Sequence, residues 1–459
     1  MAHACVDTLP TELMLIIFDL VYDNGNQRKN SHEFPYTLAV VCRRWLDLLL
    51  SKPRYWKRIL IFLSGELRTP LPVIHACTQV FDNSDVYVSV RENHRDKDAH
   101  ASESDLSIKA VMQAILPHIH RVKSLYLDLD FSSSLPKIGR DLHGHAGNLQ
   151  TLQLSCTADD GSQDKSSEDE NTLLPNKFIA PNLRNLHIDG RNFISACTMP
   201  DNTSWTRAIQ FININNLRPS ASEEKFRVIS AIEALSLFPC LEKILFKNVD
   251  MSYDSQRDIH YGPYRFSRLT ELFLENLSAE TLAGFRAIDA RLIQLKINCC
   301  EMNDPVLPYS QYLELNGING TQNVAGTLLH WQGNELSVLG CSVFSDKILQ
   351  AMSGQSDSED SEAVAKGMIC PGLNCLSIFD CPNFEASELV DMLKCRQQWH
   401  EDRFKIEQVD VNGLGPVLSQ EEGTWLTQNI DDIEWDTEHP ADGPYCLLED
   451  DGNVALSWD

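Results

Sequence analysis

One apolar pattern recurs along most of this chain, and it restricts the fold more than any other feature. The pattern is apolar-x-x-apolar-x-apolar, often with another apolar residue three positions on. It occurs at Val122-Leu125-Leu127, Leu149-Leu152-Leu154, Leu183-Leu186-Ile188, Ile209-Ile212-Ile214-Leu217, Leu241-Ile244-Phe246-Val249 and Leu269-Leu272-Leu274-Leu277. It continues at Leu292-Leu295-Ile297-Cys300, Leu313-Leu315-Ile318, Leu336-Leu339-Cys341-Phe344, Leu373-Leu376-Ile378-Cys381 and Ile406-Val409-Val411-Leu414. The starting positions run from 122 to 406, a mean period of about 28 residues. Apolar residues two apart mark a strand with one covered face. Helical spacing falls between some of these strands, at Phe226, Ile229, Ile232, Leu235 and Phe238, and at Leu389, Met392 and Leu393.

Period and pattern resemble the leucine-rich repeat family, in a degenerate form with uneven intervals. A strand and then a helix, repeated, predicts an α/β solenoid. Parallel strands line its concave side, with helices and loops outside. Alternation along each strand then assigns the concave face. With Leu125 and Leu127 inward, Ser124, Tyr126 and Asp128 face out; the same rule exposes Thr151 and Gln153, and Asn185 and His187. It places Phe211, Lys243, Leu245, Lys247, Glu271, Phe273, Glu275, Gln294, Lys296 and Asn298 on that face, followed by Tyr312, Glu314, Cys375, Phe379, Gln408 and Asp410. Aromatic groups beside lysines suit a protein partner, because aromatic anchors carry much of the energy at interfaces. Tyr126, Phe211, Lys243, Leu245, Lys247, Phe273, Lys296 and Phe379 are therefore the candidate substrate-binding residues.

The N-terminal stretch is of a different kind. Leu9-Pro10-Thr11-Glu12-Leu13 opens a helix, since Pro10 suits a first turn and Glu12 suits the positive helix end. Leu13 to Phe18 are then all apolar. A helix greasy nearly all round needs cover nearly all round. A stretch of this size buries too little surface to supply that cover. A second polypeptide is the natural cover.

The same stretch resembles the F-box. Its anchors are Leu9-Pro10-Thr11-Glu12-Leu13, Ile17-Phe18, Val41-Cys42-Arg43-Arg44-Trp45 and Trp56, all in order. The departure is a long polar insert, Asp23 to Pro35. The resemblance implies a three-helix F-box that docks on the Skp adaptor and, through it, on a cullin ubiquitin ligase. It assigns Leu9, Pro10, Leu13, Ile16, Ile17, Leu20, Val41, Cys42, Trp45 and Trp56 to forming or supporting the adaptor-facing surface. The expected organisation is an F-box over 1–63, a linker and array cap over 64–121, degenerate repeats over 122–422, and an acidic C-terminal cap or tail over 423–459. The expected activity is substrate recognition for ubiquitylation, with no catalysis by this chain. The alternative is a protein-binding scaffold that engages the Skp adaptor only.

Composition narrows the partners. The formal net charge of −26 argues against nucleic acid and anionic membranes, which need a positive footprint. No apolar run approaches the roughly 18 residues of a membrane span. Residues 1–7 lack a secretory pattern, so the 14 cysteines are expected to be reduced thiols in the cytoplasm, the nucleus or both. The sequons at Asn202, Asn276 and Asn319 would then stay unglycosylated. Two acidic stretches, Asp159 to Glu170 and Ser356 to Glu362, read as solvated insertions carrying serines next to acids. Phosphate-binding, dinucleotide and nucleophile-elbow motifs are absent from the sequence. His118-x-His120, His143-x-His145 and the cysteines lack zinc-site spacing, so no metal or other cofactor is expected.

Overall fold

The computed structural model describes residues 9–26, 34–39, 41–63, 68–79, 85–92, 101–161, 177–197, 203–220, 223–254, 257, 263–303, 307–318, 324–354, 368–398 and 405–437. The chain forms an α/β protein dominated by parallel strands. It divides into two compact units, Met1–Ile209 and Gln210–Asp459.

The first unit begins with helices α1 (Thr11–Asn26), α2 (Tyr36–Ala39) and α3 (Arg43–Leu50), then the single turn Pro53–Trp56. Pro10 accepts from the Met14 amide (3.1 Å) and so starts α1. Aromatic side chains join these pieces. The Trp56 indole donates to the Leu49 carbonyl (2.9 Å), and the Tyr36 hydroxyl accepts from the Leu60 amide (2.7 Å). Five parallel strands follow in chain order: Arg58–Phe62, Val86–Arg91, Val122–Phe131, Thr151–Ala158 and Asn185–Asp189. Ile59, Val88, Leu125, Leu152 and Leu186 lie buried along one register row, and Ile61, Val90, Leu127, Leu154 and Ile188 along the next.

The second unit contains nine parallel strands, again in chain order. They are Phe211–Leu217, Lys243–Val249, Glu271–Glu275, Leu292–Asn298, Ser310–Asn316, Glu335–Leu339, Cys375–Phe379, Gln408–Asn412 and Asp432–Asp436. Their apolar residues fill the buried side, where Phe246 meets Phe285 edge-on at 5.0 Å. Helices such as Val228–Ser236, Asp346–Ser353 and Ala386–Gln397 bury their own apolar residues between the strands.

Eight of these nine strands have a positive-φ residue within one position of their last residue: Asn216, Asn248, Asn276, Cys299, Gly317, Gly340, Asp380 and Gly413. The left-handed conformation disfavours most side chains, and asparagine, aspartate and glycine tolerate it best. The asparagines also bond to one another. Asn248 Nδ2 donates to Asn216 Oδ1 (3.2 Å), and Asn276 Nδ2 donates to Asn248 Oδ1 (2.6 Å).

Several expectations change in detail. The parallel strands begin at Arg58 and continue to Asp436, beyond the 122–422 span of the repeat pattern. Helix Gln420–Asn429 runs across the expected 422/423 boundary and opens with a capping box between Ser419 and Glu422. Arg91 to Ser104 reads as a loop in sequence, but Arg91 ends a strand and a helix starts at Ala101. Spacing alone puts Leu339 inward; it pairs with Phe379 on the opposite face, and Val338 takes the buried position. Most of both acidic stretches, including Ser356 to Glu362, and Trp458 lie outside the described residues. Among the described residues, no helix is long and apolar enough to cross a membrane.

Candidate functional site

Helix α1 carries two apolar stripes. Met14 and Phe18, one turn apart, point into the protein and are fully buried, with Phe18 edge-on to Trp45 at 5.3 Å. Leu13, Ile16, Ile17 and Leu20 form the second stripe at helical spacing. They remain 47%, 54%, 43% and 58% exposed, and Val21 and Val41 are 41% and 57% exposed. Isolated exposed apolar side chains are ordinary; a contiguous stripe on one helix makes this face the candidate interaction surface.

The other residues assigned to this surface divide by burial. Pro10 is exposed, while Leu9, Cys42 and Trp45 are half-buried. The Leu9 carbonyl accepts from Arg44 (2.6 Å), which anchors the chain just before α1. Trp56 has no exposed surface, so it cannot touch a partner and acts only as support beneath α3. Asp19, on α1 between the two stripes, bonds to the Tyr55 hydroxyl and pairs with Arg54. The Tyr55 hydroxyl, then Arg54, hold the Asp19 carboxyl below its ordinary pKa. Burial, then Asp19, push the Tyr55 phenol up to about 12.

The second candidate surface is the outward face of the strands in the second unit. Register places Phe211, Lys243, Glu271 and Gln294 in one row, Leu245, Phe273, Lys296 and Glu314 in the next, and Lys247, Glu275 and Asn298 in a third. These side chains are half-buried. Lys243 Nζ lies 4.3 Å from the centre of the Phe273 ring and Lys296 Nζ 5.6 Å, a stacked cation–π arrangement. Strand alternation puts three lysines on this face, and their charge is matched within it. Each is paired with a carboxylate one strand on: Lys243 with Glu271 (2.9 Å), Lys247 with Glu275 (3.1 Å) and Lys296 with Glu314 (2.8 Å). This half of the face is therefore a neutral, aromatic-studded surface.

Further along the same unit the face changes character. Phe379 lies between Leu339 and Asn412 in register, which makes an apolar spot. Around it stand Glu335, Asp410, Asp432, Glu434 and Asp436. The last three lie in the stretch 423–459 whose acidic composition reads as a cap or tail; alternation along Asp432–Asp436 is the signal for a strand.

Tyr126 belongs to the first unit. It is half-buried in a register row with Ser89, Gln153 and His187, and burial pushes its phenol pKa up.

The buried cysteines suit structure rather than chemistry. The Cys300 and Cys341 thiols donate to the Leu274 and Leu315 carbonyls (3.4 Å each). Burial raises the thiols of Cys300 and Cys341 to about 12 and that of Cys381 to about 11, far from the thiolate form a nucleophile needs. Among the described residues, no group of three or more His, Cys, Asp or Glu side chains is arranged to hold a metal ion. No family model matches the chain, and no curated protein matches it.

Proposed function

We propose that this chain is a substrate receptor of a Skp–cullin–F-box ubiquitin ligase: an F-box at its N-terminus and a leucine-rich solenoid that holds a protein substrate. The observation that carries the reading is the uncovered stripe Leu13, Ile16, Ile17 and Leu20, on a helix whose opposite stripe is already spent on the core. In a protein with the ordered anchors Leu9-Pro10, Val41-Cys42 and Trp45, that stripe is where the Skp adaptor would bind. Each unit offers its own strand face to a substrate, with Tyr126 on the first and Phe211, Leu245, Phe273 and Phe379 on the second. Tethering then acts by effective concentration, bringing substrate lysines near the charged ubiquitin-conjugating enzyme. The chain itself carries out no bond chemistry.

The test is co-purification with the Skp adaptor. Ile16→Asp with Leu20→Asp, both exposed and so compatible with folding, is expected to abolish it, as is Leu9→Ala with Pro10→Ala. Retained adaptor binding by both double variants would overturn the reading. Ubiquitylation of a captured partner by the reconstituted complex separates a ligase subunit from a scaffold that engages the adaptor alone.

A further inference from the structure

We propose that the outward strand face from Glu335 to Asp436 recognises a basic, extended segment of a partner protein, with one bulky apolar residue seated on Leu339 and Phe379. The proposal rests on the reading of this face as the substrate surface, and it adds the chemical class of the substrate.

Charge complementarity carries it. Across four neighbouring strands the outward positions hold Glu335, Ser337 and Leu339; Cys375, Ser377 and Phe379; Gln408, Asp410 and Asn412; and Asp432, Glu434 and Asp436. Five carboxylates stand there without one lysine or arginine. Upstream on the same sheet, every carboxylate of the aromatic half is already matched by a lysine. The two halves are thus built differently, one internally neutralised and one left for an external cation.

Acids on an outermost strand also discourage edge-to-edge pairing, and that role accounts for Asp432, Glu434 and Asp436. It does not account for Glu335 and Asp410, which belong to strands flanked on both sides. Asp410 is moreover fixed in place, accepting from the Ser377 hydroxyl (3.0 Å) and from Gln408 Nε2 (3.3 Å). Alternate residues of a strand are about 6.6 Å apart, so a segment with lysine or arginine at every second position matches Asp432, Glu434 and Asp436. A second copy of this chain is a poor occupant, because its net charge of −26 opposes approach.

The experiment uses the full chain and two fluorescent peptides. One alternates lysine with threonine and carries a central leucine; the other has glutamate in place of every lysine. The lysine peptide is expected to bind, and more weakly as salt rises, while the glutamate peptide does not bind. Asp410→Lys with Glu434→Lys is expected to weaken binding on the order of tenfold or more, and Phe379→Ala several-fold. Asp289→Lys with Asp391→Lys, exposed acids away from this face, serves as the control for attraction to net charge alone. An equal loss in the control pair, or equal binding of both peptides, would overturn the proposal; so would full affinity in both face variants. Ile16→Asp with Leu20→Asp should leave peptide binding unchanged, so failure of adaptor docking and failure of this site give different results.

Discussion

The Tyr55 hydroxyl donates to the Asp19 carboxylate across 36 residues of chain, and this contact sets how α1 is presented. Asp19 lies between buried Phe18 and exposed Leu20, so holding it fixes which stripe of the helix faces out. The Tyr55 ring is packed independently, against Tyr22 at 5.5 Å and Phe34 at 5.2 Å. Tyr55→Phe should therefore keep the packing and lose only the hydrogen bond. The expected loss in unfolding free energy is about 1–2 kcal/mol at pH 7, measured by urea titration. The pH dependence has a definite sign. A carboxyl held below its ordinary pKa stabilises the fold above that value, and the contribution is lost as pH falls through the lowered one. Wild type should lose more stability on acidification below about pH 4 than Tyr55→Phe does.

The asparagine at the end of strand Lys243–Val249 has two separable duties. Asn248 has φ of 54°, and it bridges Asn216 and Asn276 through its amide. Asn248→Gly removes the bridge but suits the backbone. Asn248→Ala removes the bridge and adds the left-handed penalty of about 1–2 kcal/mol. Alanine is thus expected to be the more damaging substitution by roughly that difference, read from chemical denaturation. Equal losses would assign the whole effect to the amide ladder.

Arg396 is buried without exposed surface and donates to the carbonyls of Met352 (3.0 Å), Cys370 (3.0 Å) and Pro371 (3.1 Å). One guanidinium thereby joins the described chain on both sides of residues 355–367. Methionine fills similar space but removes this donor from all three carbonyls; that of Cys370 keeps the Leu373 amide (3.2 Å). At about 1 kcal/mol or more for each of the Met352 and Pro371 carbonyls, Arg396→Met is expected to cost about 2 kcal/mol or more. Arg396→Lys, which reaches fewer acceptors, should fall between, and the thermal midpoints of the three proteins should follow that order.

How far sequence could reach is visible in particular residues. Leu125, Leu152 and Leu186 were legible as one buried row because a strand with one covered face imposes period two, and the period near 28 repeats it. Leu339 was misassigned because its strand reads Glu-Leu-Ser-Val-Leu, where either of two apolar spacings fits; only pairing with Phe379 decides. The left-handed strand ends escaped notice because different residue types satisfy one backbone requirement at Asn276, Cys299 and Gly317. The neutralisation of Lys243, Lys247 and Lys296 depends on contacts between neighbouring strands, which register sets and composition does not. At the candidate adaptor surface, the greasy character of Leu13 to Phe18 was plain. Which residues turn outward required the packing of Phe18 on Trp45.

His187 and Asp189 sit two apart on the same face of strand Asn185–Asp189, and their titrations oppose each other. Asp189 is buried; burial pushes its carboxyl up to about 7 despite bonds from the Arg191 and Asn192 amides and Asn192 Nδ2. A raised carboxyl contributes stability that is full below its ordinary value near 3.8 and lost as pH rises through about 7. Burial lowers the His187 imidazole from 6.5 to about 4, so the folded protein holds it neutral. That group adds stability as pH rises from about 4 to 6.5. The windows overlap, and the two slopes offset each other in the wild type. Asp189→Asn should unmask the histidine, so that stability climbs between pH 4.5 and 6.5. His187→Gln should unmask the aspartate, so that stability falls over the same range. Urea midpoints at three pH values in that interval test both. Parallel pH profiles for the two variants would rule out the offset.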